Sequence, residues 1–157
     1  MIKASAALAL VALAGAAPPP APAARIARIE ARLFYTDSGK LSANLLDAKG
    51  HFAGWNTIIG EGPSGGAAED VVIVVSIAQA KAKASDELTL PTPLEIKVVA
   101  KGKTIAMRRF TNLIIPYNGP AYAPLWLANV GCAQKVVITA RLGGASRSAV
   151  LDMDCGE

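Results

Sequence analysis

The chain has one histidine, His51, two cysteines, Cys132 and Cys155, and few aromatic side chains, which make up 5% of its 157 residues. Each shortage excludes something. Tetrahedral zinc takes four ligands, and one imidazole with two distant thiols falls short of that number, so no metal site is expected. A single histidine leaves a serine hydrolase only one choice of base. Positive charge is also thin. Sixteen Lys and Arg against twelve Asp and Glu give a formal +4, spread along the chain. A nucleic-acid footprint would be a dense basic stripe, so nucleic acid is not an expected partner. Helical patterning is scarce as well. Ala78 to Ala84 has helical propensity but is short and lacks an apolar stripe, which predicts a loop or a single turn.

What is present begins at the N-terminus. Met1-Ile2-Lys3 is followed by an uncharged run from Ala4 to Ala17 and then by Pro18-Pro19-Pro20-Ala21-Pro22. A basic start, an apolar core and small-residue cleavage sites are the layout of a secretory signal peptide. The run is shorter than the roughly 20 residues of a spanning helix and ends in prolines, so no transmembrane segment is expected in the mature chain. Two Ala-x-Ala sites are present, Ala14-Gly15-Ala16 and Ala21-Pro22-Ala23. Cleavage is expected after residue 16, with residue 23 as the later limit. No cysteine lies near either site, which argues against a lipid anchor. This predicts a signal peptide at 1–16, an Ala/Pro-rich linker at 17–27 and one domain at 28–157, in a periplasmic or secreted protein of bacterial type. Loss of Lys3 with the leader lowers the formal charge from +4 to +3.

The mature chain reads as short β-rich runs divided by Gly, Pro, Asn and Asp. From Arg28 to Tyr35, Ile29, Ala31, Leu33 and Tyr35 alternate with Arg28, Glu30 and Arg32, which predicts a strand. Leu41 to Leu45 alternates again, and Trp55 to Ile59 is a further candidate. Asp70 to Ile77 is apolar on both faces, as a covered central strand would be. The expected fold is all-β: an antiparallel sandwich of seven or eight strands, immunoglobulin-like or C2-like. The cysteines stand too close in sequence for the inter-sheet bridge of an antibody domain.

Two hairpins can be read to the register. A two-residue turn at Lys101-Gly102 sets Ile96 against Met107, Val98 against Ile105 and Glu95 against Arg108. A turn at Gly143-Gly144 sets Val136 against Leu151, Ile138 against Ala149, Leu142 against Ala145, Lys135 against Asp152 and Thr139 against Ser148. Gly-Gly suits a type I′ turn, with both central residues at positive φ. Carried outward, this register sets Cys132 opposite Cys155, and an exported chain makes a disulfide the expected state of that pair. Closing a loop of that length is worth about 3 kcal/mol.

Gly60 to Gly66 spells two motifs. Gly60-Glu61-Gly62-Pro63-Ser64-Gly65 matches the dinucleotide fingerprint, and Gly62 to Gly66 matches the serine elbow of hydrolases. Both require a helix after the glycines, whereas the chain runs into the β-type stretch at Val71. Pro63 lacks an amide donor and Glu61 repels anions, so no nucleotide cofactor is expected. Ser64 with His51 and a carboxylate remains the only nameable hydrolase set. The acidic groups Asp86-Glu87 and Asp152, Asp154 and Glu157 lack the dense alternation of a calcium loop.

The most suggestive segment runs from Pro116 to Trp126. It places Tyr117, Tyr122 and Trp126 in a proline-rich connection, where aromatics on stiff loops can bind sugars, peptides or a partner protein. Basic residues gather at Lys97, Lys101, Lys103, Arg108 and Arg109, where lysine along an edge strand discourages aggregation. The expectation is an exported, non-enzymatic binding module for a small ligand or an envelope protein. The alternatives are a small hydrolase using Ser64 and His51, and a structural subunit that adds a strand to a partner.

Overall fold

A computed structural model describes residues 23–47, 52–53, 68, 70–80, 86–129 and 134–154. They are almost entirely β. In chain order the strands are β1 (Ala24–Phe34), β2 (Phe52–Ala53), β3 (Asp70–Gln79), β4 (Leu88–Thr89), β5 (Leu94–Ala100), β6 (Lys103–Phe110), β7 (Ile114–Ile115), β8 (Ala121–Leu127), β9 (Gln134–Leu142) and β10 (Ala145–Asp154). One 3-10 turn, Leu45–Asp47, follows β1. No helix among the described residues is long and apolar enough to cross a membrane.

The strands form three sheets, ordered β1-β3-β8, β2-β10-β9-β5-β6 and β4-β7. All pairings are antiparallel except β2 with β10. Alternation decides which side chains go inward, because successive residues of a strand point to opposite faces. On β3, Val71, Ile73, Val75 and Ile77 are fully buried; on β5, Leu94, Ile96 and Val98; on β9, Val136, Ile138 and Ala140. These residues and the inner side chains of β1 and β8 belong to one apolar cluster, so the two larger sheets share a core.

The last hairpin has the register its sequence predicts, from Leu142↔Ala145 through Val136↔Leu151 and Lys135↔Asp152 to Gln134↔Met153. The turn itself differs. Of its two glycines only Gly143 has positive φ, 57°, the pattern of a type II′ rather than a type I′ turn. Positive φ at both central positions occurs instead at Lys101 (50°) and Gly102 (73°). Cys132, Cys155, His51, Ser64, the Gly60–Gly66 loop and the candidate strand Trp55–Ile59 lie outside the described residues.

The β5–β6 hairpin departs from expectation after two pairs. Ala100↔Lys103 and Val99↔Thr104 follow the predicted turn, but a bulge then leaves Ile105 as the extra residue. Val98 therefore faces Ala106, Ile96 faces Arg108 and Glu95 faces Arg109. The physical reason is that β6 is an edge strand, so little burial pins its register. Two further differences concern β1. It starts at Ala24, inside the stretch read as linker, and its first residues pair with Ala78 and Gln79. Leu41 to Leu45 forms no strand, because its polar side chains serve the free edge of β1 instead. Asn44 Oδ1 accepts from the Ala31 amide (2.9 Å) and Ser42 Oγ from the Leu33 amide (2.9 Å), while Ser42 N–H donates to Leu33 O (3.0 Å). Donors that would template another chain are thus used internally.

Asn44 is itself buried, and its Nδ2 finds no partner among the described residues. Asn44→Ala orphans the Ala31 amide but also removes that unpaired donor, so the expected loss is about 1–2 kcal/mol by urea unfolding. Ser42→Ala should cost about 1 kcal/mol. No measurable loss in either variant would mean that the edge is held by other groups.

Candidate functional site

Strand β8 reads Ala-Tyr-Ala-Pro-Leu-Trp-Leu, and its burial alternates strictly. Ala121, Ala123, Leu125 and Leu127 point into the core, so Tyr122, Pro124 and Trp126 are forced onto the opposite, outer face. The sequence reading put Tyr122 and Trp126 in a connecting loop. They stand instead on a sheet strand, paired to β3, with 64% and 47% of their surface exposed. Tyr117, 58% exposed, lies in the turn that leads into β8. Proline within the stretch suggested a connection; Pro124 is tolerated because β8 is an edge strand.

Register assigns the neighbours of each ring. Across the outer face run three rows: Arg28–Ser76–Tyr122, Glu30–Val74–Pro124 and Arg32–Val72–Trp126. Small side chains on the middle strand thus form a floor between a taller aromatic wall on β8 and a charged wall on β1. With strands about 4.8 Å apart, the walls stand roughly 10 Å from each other. Trp126 and Phe34 meet across the floor with ring centroids 5.0 Å apart, tilted by 58°, and Val72 is buried there. They close the groove at that end.

The walls are held by specific bonds. Asp70 takes the Trp126 indole N–H at 2.8 Å and the Asn129 amide at 3.0 Å, so one carboxylate fixes the ring and the turn after β8. Asn129 has φ of 50°, a conformation asparagine accepts more readily than most residues. On the facing wall, Glu30 bridges Arg28 (3.1 Å) and Arg32 (2.9 Å), Arg28 also bonds Asp47, and Arg32 donates to Ser42 O at 3.0 Å. Such exposed pairs add little stability, but they orient the side chains and cancel much of their charge. From the neighbouring sheet, Arg108 stacks over Phe110 (4.5 Å to its centroid) and donates to Pro124 O (3.0 Å), bracing β8 against β6. The basic hairpin is therefore partly a brace.

At its other end the groove meets a concavity of about 400 Å³, lined among others by Arg25, Ser76, Pro116, Tyr117, Asn118 and Pro120. The Gln79 amide builds its far wall, with Nε2 donating to Asp86 O (2.8 Å) and Ile115 O (3.3 Å), which ties the loop before β8 to the end of β3. A second concavity, of about 300 Å³, sits on the five-stranded sheet, where Glu95 faces both Arg109 and Arg141. It bears no aromatic ring.

Sequence reasoning therefore named the rings and missed what frames them: Arg25, Phe34, Asp70 and Ser76. The legible signal was the strict small–large alternation from Ala121 to Leu127, which marks a strand with its bulky members outside. The site is a groove with rings, hydroxyls and amides. Among the described residues, no three His, Cys, Asp or Glu converge on a metal position.

Removing the Trp126 ring forfeits its contact with Phe34 and its bond to Asp70, so Trp126→Ala should lower stability by about 1–2 kcal/mol. Tyr122→Ala should stay within about 0.5 kcal/mol, as for an exposed side chain. Denaturant midpoints of the two variants test this, and a large loss at Tyr122 would assign that ring to packing. In comparison with known proteins, no family model matches the chain and no curated relative is found.

Proposed function

We propose that the protein is an exported, non-enzymatic binding module whose site is the aromatic groove on the outer face of the β1-β3-β8 sheet. One observation carries the reading: Tyr117, Tyr122 and Trp126, all substantially exposed, line one face that runs into a concavity. Exposing large rings costs free energy, and fixing one of them with a carboxylate preorganises the surface for contact. The Trp126 bond also serves the fold, so the exposure of Tyr117 and Tyr122 is what points to a ligand.

The wider proposal has four parts. The chain is one β-sandwich domain, immunoglobulin-like or C2-like, in which the β1-β3-β8 and β2-β10-β9-β5-β6 sheets are the two layers. The common apolar cluster supports this. A signal peptide at 1–16 directs the chain to the periplasm or outside the cell. Cys132 and Cys155 form a disulfide: the hairpin register is observed as far as Gln134↔Met153, and each cysteine stands two residues further along the sequence from that pair. The ligand is a small molecule or an envelope protein.

Native mass spectrometry of the protein released from its own host tests these points together. A mass 2 Da below that of the reduced chain is expected for the bridge, with an N-terminus at residue 17. A bound mass should be lost in Tyr122→Ala while the melting temperature stays within a few degrees. A bare chain, or a bound mass indifferent to Tyr122, would remove the groove from consideration.

A further inference from the structure

We infer that the groove binds an acidic oligosaccharide, a chain of uronic acid residues, and that Arg25 takes a sugar carboxylate in the concavity. The inference rests on the binding-module reading and names its ligand class.

Charge complementarity supplies the first step. Among the described residues, Arg25 is the only charged side chain lining the concavity, and no Asp or Glu lines it. Among the described residues no ion pair engages Arg25, whereas Arg28 and Arg32, further along the same strand, are paired with Glu30 and Asp47. A guanidinium with free donors is matched to a carboxylate, which it binds through two parallel hydrogen bonds. Around it stand neutral hydrogen-bonding groups, the Ser76 hydroxyl, the Tyr117 phenol and the Asn118 amide, beside the apolar rings of Pro116 and Pro120. Each unit of the complementary ligand has one negative charge, several hydroxyls and an apolar face.

The second step separates a sugar from a peptide. The backbone groups of β3 are committed to β1 on one edge and β8 on the other. The outer face therefore offers side chains only. An extended peptide laid on it would leave many of its own N–H and C=O groups without protein partners. A pyranose has no such backbone. Its C–H face packs on an aromatic plane, as at Tyr117 and Tyr122, and its hydroxyls suit planar charged groups such as those of Arg28 and Glu30.

The third step is shape. The concavity does not stand alone: Ser76 lines it and is also the register partner of Tyr122, so it continues into the groove. From Tyr122 to Trp126 the groove runs about 13 Å before the Phe34–Trp126 pair closes it. That length suits a chain of rings rather than a single one.

The test is isothermal titration of the full mature protein with tetrasaccharides of galacturonate, mannuronate and glucuronate. Each is compared with its carboxyl-reduced counterpart, with inorganic phosphate and with the peptide Pro-Pro-Pro-Ala-Pro as controls. At least one tetrauronate should bind, with its reduced counterpart tenfold or more weaker. Arg25→Gln should weaken binding tenfold or more without shifting the melting temperature, and Tyr122→Ala should weaken it as well. Failure of every uronate to bind would overturn the inference. So would equal affinity for the reduced sugar, binding indifferent to Arg25, or phosphate bound as tightly. If the neutral sugar or the peptide binds in a Tyr122-dependent way, the groove remains a binding site and only the uronate assignment falls. If no compound depends on Tyr122, the groove itself loses its support.

Discussion

Strand β3 has a hydrogen-bonded neighbour on each edge, and the rest of the molecule is arranged around that constraint. A strand paired on both sides has no backbone group left to offer, so only its two faces can act. One face carries Val71, Ile73, Val75 and Ile77, all fully buried. The other carries Val72, Val74, Ser76 and Ala78, small side chains that cannot rise as high as those flanking them. The core and the groove are thus two consequences of one ten-residue stretch.

Because β3 takes the centre, β1 and β8 become edges, and each is managed differently. The outer edge of β1 is covered by the chain itself, with Asn44 and Ser42 supplying the acceptors that a further strand would have supplied. The β8 edge contains Pro124, which has no amide to offer, and Arg108 occupies the carbonyl beside it. These arrangements make edge-to-edge growth of this sheet costly and leave its face as the available surface. A role through strand addition is correspondingly less suited to this sheet than a role through the groove.

The groove owes its shape to register more than to any single residue. A one-residue slip of β8 would turn Tyr122 and Trp126 into the core and bring Ala123 and Leu125 out. The slip is prevented by the buried row Ala121, Ala123, Leu125 and Leu127, and by the bond between Trp126 and Asp70 at the start of β3. Packing on one face therefore holds the chemistry of the other in place.

Much of this was legible in the chain. Period-two alternation determined the all-β class and the register of the last hairpin from Leu142↔Ala145 to Lys135↔Asp152, because burial of one face leaves a single acceptable pairing. The central position of β3 was read instead from apolar residues on both its faces, of which only one lies in the core and the other floors the groove. Alternation determined less where burial is weak. On β6, exposed along most of its length, a bulge at Ile105 shifted every later pair, and nothing local marks that position. From Leu41 to Leu45 a strand-like pattern yielded to side-chain bonds with an edge 9 to 13 residues upstream. Tyr117, Tyr122 and Trp126 were identifiable as unusual. The placement of Tyr122 and Trp126 on a sheet face, beside Phe34 and in line with Arg25, depends on strands brought together across roughly a hundred residues of chain. Alternation is a property of neighbours in sequence and can be read there. Which walls face each other across a floor is a property of strand order, and only the tertiary structure decides that.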